Sequence, residues 1–186
     1  LKILKDAGHQ VKGIDLSSEF AKKARELYEI DVSEGSLTSL DPERGRFDMI
    51  LLYGTFVNLT APVEQLRHIQ SLLKENGEFC FNVPVSDSFI ARMYGSRCWM
   101  FTPSGSHFPT VDGCRKALKQ AGLEVTDFGM DYQAPTVSKI LGLVGLKWLF
   151  PIMNYLGLAS VAPPVPIPIP IVRRFWCRKA STGAPV

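Results

Sequence analysis

A chain of 186 residues with 46% hydrophobic and 21% charged side chains has the size and apolar content of one ordinary globular domain, and it lacks the composition of a disordered polymer. The net charge of +3 is small and the Lys and Arg residues are dispersed, which argues against nucleic acid as a partner. Cys80, Cys98, Cys114 and Cys177 form no C-x-x-C pair and have no His at ligand spacing, so neither a zinc site nor a compact disulfide scaffold is expected; buried or part-buried thiols in a reducing cytosol are.

Leu1 to Ala7 has helical spacing, and Gly8 is a good stop. His9 to Asp15 reads as a short buried strand. Ser17 to Tyr28 is predicted to be an amphipathic helix, capped by Ser17 or Ser18, with Phe20, Ala24 and Leu27 or Tyr28 facing inward. Ile30 to Val32 is a strand candidate, followed by a polar turn through Ser33-Glu34-Gly35 and a surface turn at Asp41 to Gly45. Phe47 to Tyr53 is a nearly continuous apolar run, the pattern of a central parallel strand covered on both faces. Pro62 to Glu75 is predicted helical with Val63, Leu66, Ile69 and Leu73 on one stripe; Asn76-Gly77 closes it, and Glu78 to Val83 is the next strand.

Thr110 caps a helix that runs to Ala121, and Leu123 to Tyr132 alternates as a strand does. Ile171 to Lys179 reads as the last strand. Alternating strands and helices predict an α/β fold with a mostly parallel sheet. The final two strands have no crossover helix between them, which leaves room for an antiparallel pair at one edge. The expected organisation is a core over 1–132, an apolar insert over 133–170, a final core strand over 171–180 and a loose tail over 181–186.

The insert is different in kind. Residues 140–161 are long enough to span a bilayer with Lys147 as the sole charge, yet Pro151, Asn154 and several glycines interrupt them. A lid of two short helices around Pro151 is the favoured reading. An interfacial segment dipping Trp148, Leu149, Phe150 and Tyr155 into a membrane comes second, and a membrane span last. The first two point to an apolar acceptor. The Pro-Ile alternation from Pro163 to Pro170 suits an extended strap back to the sheet.

Asp15 is the sharpest chemical feature. A carboxylate at the C-terminal end of a strand accepts hydrogen bonds from vicinal ribose hydroxyls, but it also suits a helix N-cap, and the residue alone does not separate the two. The wider order does more. "GHQVKGIDLSSEFAKKARE", "EGSLTSL", "FDMILLYGTFVNL" and "LLKENGEFCFNVP" together resemble the class I S-adenosylmethionine-dependent methyltransferases, within them the small-molecule branch with a ubiquinone-biosynthesis-like methyltransferase domain. Leu73-Lys74-Glu75-Asn76-Gly77 stands for that branch's L-K-P-G-G. The stretch "CWMFTPSGSHFPTVDGCRKALKQAGLEV" is similar to a second pattern of the branch, with Trp99, Pro103, His107, Phe108, Thr110 and Ala121-Gly122 in register.

The resemblance implies a Rossmann-like methyltransferase sheet with an antiparallel last strand, S-adenosylmethionine as cofactor, and methyl transfer to a small, apolar acceptor. It implies that Asp15 holds the ribose hydroxyls, Leu16 lies against the adenine, and Ser36 and Leu37 border the adenine as a polar contact and an apolar wall. Tyr53 and Gly54 fall where the backbone passes the methionine part of the cofactor. Asn58 stands where relatives often carry a His. His107 is suited to act as a general base near the acceptor, although a structural His in a loop above the sheet is the stronger expectation.

The glycine-rich G-x-G-x-G loop of the family has no counterpart in these residues, and neither does the first strand, which the family places between its second and fourth. The chain is therefore expected to be an N-terminally truncated fragment, inactive alone. Two alternatives remain at this stage. One is a nicotinamide-dependent oxidoreductase, disfavoured because no Tyr-x-x-x-Lys pair falls in a helix. The other is an inactive fragment acting through its apolar segment at a membrane or partner. A cytoplasmic location is expected, with peripheral membrane contact through 140–161 left open; the oligomeric state is not legible.

Overall fold

In the computed structural model, residues 1–37, 39–40, 45–98, 100–101, 105–133, 147–155 and 167–180 are described. The chain order is α1 (Lys2–Asp6), β1 (Lys12–Asp15), α2 (Ser18–Tyr28), β2 (Asp31–Glu34), β3 (Phe47–Leu52), α3 (Pro62–Leu72), β4 (Leu73–Pro84), α4 (Phe89–Tyr94), α5 (Val111–Gln120), β5 (Leu123–Gln133), α6 (Phe150–Tyr155) and β6 (Ile167–Lys179). Local chemistry sets the helix starts. Ser17 accepts from the Phe20 N–H at 3.3 Å to open α2, and Thr110 accepts from the Gly113 N–H at 3.0 Å to open α5. Pro62 occupies the first turn of α3, where its missing N–H costs nothing.

The strands form two sheets. β1 and β2 pair in parallel, with Asp15 opposite Glu34. The other sheet runs β3-β4-β6-β5, with β3 parallel to β4 and β6 antiparallel to both of its neighbours. Since β6 opposes both, β4 and β5 run the same way, and one reversed strand sits in an otherwise parallel array. The fold is thus α/β and Rossmann-like, with the last strand of the sequence inserted between β4 and β5.

One face of the larger sheet carries the core. Phe56 stacks on Phe81 with ring centroids 4.5 Å apart, and Phe81 stacks in turn on Phe175 at 4.9 Å. Leu66 and Ile69 of α3 and Cys114 and Leu118 of α5 close over these rings. Each such side chain contributes roughly 1.5–3 kcal/mol by leaving water. All four cysteines are free and buried, and burial pushes the thiols of Cys114 and Cys177 up to about 12.

Several expectations meet a different arrangement. Phe47–Leu52 is an edge strand of its sheet: Ile50 and Leu52 pack on the core, while Met49 and Leu51 stay 42% and 38% exposed. The inward stripe expected of α2 is largely open as well, with Phe20 at 66% and Leu27 at 68% exposure, and only Ala21 fully buried. The cause is shared. Both β1 and β3 are edges, and the stripe of Phe20, Ala24 and Tyr28 borders an open cleft of ≈ 460 Å³ with Gly13, Ile14 and Leu1 on its other walls. The sheet is broken at the place the family resemblance gives to its first strand.

Smaller differences have local causes. Ser33 and Glu34 belong to β2, paired with Ile14 and Asp15, rather than to a turn. α3 ends at Leu72, where Leu73 turns extended and enters β4. Gly77 is needed there by close approach, since a Cβ would lie 2.9 Å from the Phe47 carbonyl oxygen. β6 starts at Ile167 and takes in Pro168 and Pro170, in a section paired to β5 alone. Proline is tolerated on such an unshared edge, and a polyproline-like segment needs little adjustment to become a strand. Of the apolar insert, a short 3-10 turn at Lys147–Leu149 and α6 with Pro151 in its first turn are described; the rest lies outside the described residues. No helix among the described residues is long and apolar enough to cross a membrane.

Candidate functional site

The C-terminal ends of β1 and β2 carry the first half of the site. Asp15 ends β1 with its side chain exposed, and its Oδ1 accepts from the Ser17 N–H at 2.8 Å. The helix cap is Ser17 itself, so Asp15 braces the strand-to-helix turn and still presents a carboxylate at the surface. Its carbonyl oxygen accepts from the Gly35 N–H at 2.9 Å, which ties the ends of β1 and β2 together. Glu34, directly across from Asp15, adds a second exposed carboxylate that the sequence did not single out. Leu16 stands 79% exposed beside them. Ser36 is exposed and its carbonyl accepts from the Ser39 N–H at 3.0 Å. Leu37 turns its side chain against the main core, and its carbonyl oxygen lies 2.8 Å from His68 Nε2.

The second half follows β3. Tyr53 is half-exposed, and its hydroxyl lies 3.7 Å from Cys80 Sγ; burial and that contact push the phenol up to about 12, so it stays neutral. Gly54 turns with φ at 69° and donates its N–H to Asn82 Oδ1 at 2.7 Å. A Cβ placed on Gly54 would meet nothing within 4 Å, so the turn is open on that side. Asn82 in turn donates to Asp131 Oδ2 at 2.7 Å, and both residues are buried. Neither was visible as a site residue in the sequence.

His107 sits next to the same turn by another route. The Ser106 and His107 N–H groups both donate to the Val57 carbonyl, at 2.8 and 3.3 Å, and the imidazole stands edge-on to Phe56 at 5.9 Å. Its Nε2 is buried without a hydrogen-bond partner among the described residues, and burial lowers its pKa below the usual 6.5. Phe56, Val57 and Asn58 form the 3-10 turn two residues beyond Gly54, so His107 and Gly54 are anchored to one short stretch of chain. Asn58 is exposed.

Comparison with known proteins bears on the family of the sequence and on the fold. A family model described as a methyltransferase domain covers residues 1–127. No curated protein sequence matches the chain at a significant level. Among solved structures, a Thermotoga maritima protein described as an S-adenosylmethionine-dependent methyltransferase, possible histamine N-methyltransferase, superposes with a TM-score of 0.64 at 17% identity, over 96% of this chain and 75% of the other. A methyltransferase from Archaeoglobus fulgidus gives 0.62 at 14% identity, over 96% and 80%. The 1,6-didemethyltoxoflavin-N1-methyltransferase of Burkholderia thailandensis, solved with its acceptor and S-adenosylhomocysteine, gives 0.57 at 17% identity, over 96% and 65%. At these identities the structural likeness speaks for the fold.

Proposed function

This chain belongs to the class I S-adenosylmethionine-dependent methyltransferases, and from that premise we propose that it passes the methyl group of S-adenosylmethionine to a small, apolar acceptor. The observation that carries the reading is the exposed carboxylate of Asp15 at the end of β1, which accepts from the Ser17 N–H through Oδ1 and leaves the capping of α2 to the Ser17 hydroxyl. Its position suits two hydrogen bonds from ribose hydroxyls. Leu16 offers an exposed apolar face for the adenine ring, and Ser36 a polar group at the neighbouring strand end. Leu37 closes the floor from the core side. Beyond β3, the open side of Gly54 leaves room for a ligand to lie close to the backbone, with the neutral Tyr53 beside it.

The cofactor supplies a methyl group already activated on a sulfonium sulfur. The protein's share is to hold the acceptor atom in line, exclude water and accept a proton where the acceptor has one to lose. His107 is suited to that last duty, because burial keeps its imidazole neutral at physiological pH and its Nε2 has no other described partner. A small acceptor is supported by the relative that binds one. An apolar acceptor is supported by the exposed Trp148, Ile152 and Tyr155 in the described part of the insert. Calorimetric titration with S-adenosylhomocysteine tests the assignment. Asp15→Ala is expected to weaken binding about a hundredfold, the loss of two hydrogen bonds to a charged group. Unchanged affinity sinks the role given to Asp15.

A further inference from the structure

Asn82 is a polar residue in the most apolar strand of the protein, between Phe81 and Val83, both fully buried. Such a position costs stability unless every polar atom finds a partner. Here both ends are used: Oδ1 accepts from the Gly54 N–H at 2.7 Å and Nδ2 donates to Asp131 Oδ2 at 2.7 Å. The orientation of the amide follows from its partners, because the reverse setting would place two donors against each other at Gly54. Asp131 comes from β5, two strands away across β6, and is itself buried at 7% exposure. A buried carboxylate so far from the β3 turn is retained at a cost in desolvation that an apolar pair would avoid.

We propose that Asp131 and Asn82 are positioning residues that act through Gly54 to fix the turn against which the methionine part of S-adenosylmethionine lies; this rests on the function proposed above. Asp131 holds the amide of Asn82 in one setting. Asn82 satisfies the Gly54 N–H, an orphan donor beyond the end of β3, and thereby keeps the backbone at φ 69° with its open side outward. Neither side chain needs to touch the ligand. What they supply is a turn already in its binding conformation, so that binding does not have to order it.

A charge-swap series tests this. Asn82→Asp keeps an oxygen for Gly54 but removes the donor and sets a second carboxylate against Asp131. Asp131→Asn removes the negative partner. The double variant Asn82→Asp with Asp131→Asn restores an acceptor toward Gly54 and a donor across the sheet. Dissociation constants for S-adenosylhomocysteine and protection of the Gly54 amide from hydrogen exchange are measured for all four proteins. Expected is an affinity loss of about tenfold in Asn82→Asp with Gly54 protection lost, and recovery of both in the double variant. An effect through stability alone would lower melting temperatures without this rescue of affinity. If Gly54 protection responds while affinity does not, the relay exists but does not serve the cofactor, and the proposal falls. If the double variant stays as weak as Asn82→Asp, it falls as well. If the unaltered protein binds no S-adenosylhomocysteine at all, the function proposed above fails together with it.

Discussion

His107 holds its ring edge-on to Phe56 with Nε2 out of reach of any described partner, and burial lowers its pKa. The sign of the consequence follows from linkage. The unfolded chain takes up a proton near pH 6.5, whereas the folded protein resists it until a lower pH. Stability contributed by the neutral form is therefore complete above 6.5 and is lost as the pH falls from there through the folded value. Melting temperatures at pH 7.5 and 5.5 are expected to differ more in the native protein than in His107→Phe; equal differences would remove the buried imidazole as the cause. The place of Asp15 at the end of β1 was legible in the sequence because a strand-final carboxylate next to a helix start is a local pattern. Asn82 and Asp131 were not, since an Asn among apolar residues carries no signal until a partner 49 positions away is known.

Two helices with similar stripes fare differently at the scale of elements. In α3 Leu66 and Ile69 are fully buried against the phenylalanine core, as their spacing predicts, while Leu73 of the same expected stripe joins that core as the first residue of β4. In α2 the stripe of Phe20, Ala24 and Tyr28 faces the open cleft beside β1. Urea denaturation separates them. Leu66→Ala is expected to cost about 2–5 kcal/mol, whereas Phe20→Ser should stay within about 0.5 kcal/mol. A large loss from Phe20→Ser would mean that the cleft is closed in solution. Periodicity was enough to identify both helices and all the strands through β5. It reports how much of an element is apolar and on which side, but not whether a neighbour is present to cover it. That is why Phe47–Leu52 reads as central and stands at an edge.

For the molecule as a whole, the broken sheet divides the stability. The larger sheet rests on a core of stacked aromatic rings and two covering helices, while β1, β2 and α2 share a second cluster built on Ala21, Ile30 and Val32. With so little buried area, the smaller unit has little to resist local opening. Hydrogen exchange is expected to be faster over β1 and β2 than over β4 and β6; uniform protection across both sheets would show one cooperative unit instead. The alternation of strands and helices predicts an α/β array with an antiparallel final strand, and that is what the larger sheet shows. It does not predict that β6 lies inside the sheet rather than beyond β5, because pairing across such distances leaves no mark on local pattern.

That inside position imposes an order in time. β6 is synthesised after both of its neighbours, yet β4 and β5 pair with each other only through it. Until β6 is made, β4 and β5 each lack a partner along the edge it will occupy. The cross-strand pair between Glu78 and Arg178 bridges 100 residues of sequence, so it belongs to the end of that wait. Loop closure over such a length is slow, and bare edges are where nascent chains adhere to one another. The sheet behaves as a zip whose slider comes after both of its rows, and its closure is timed by the arrival of β6.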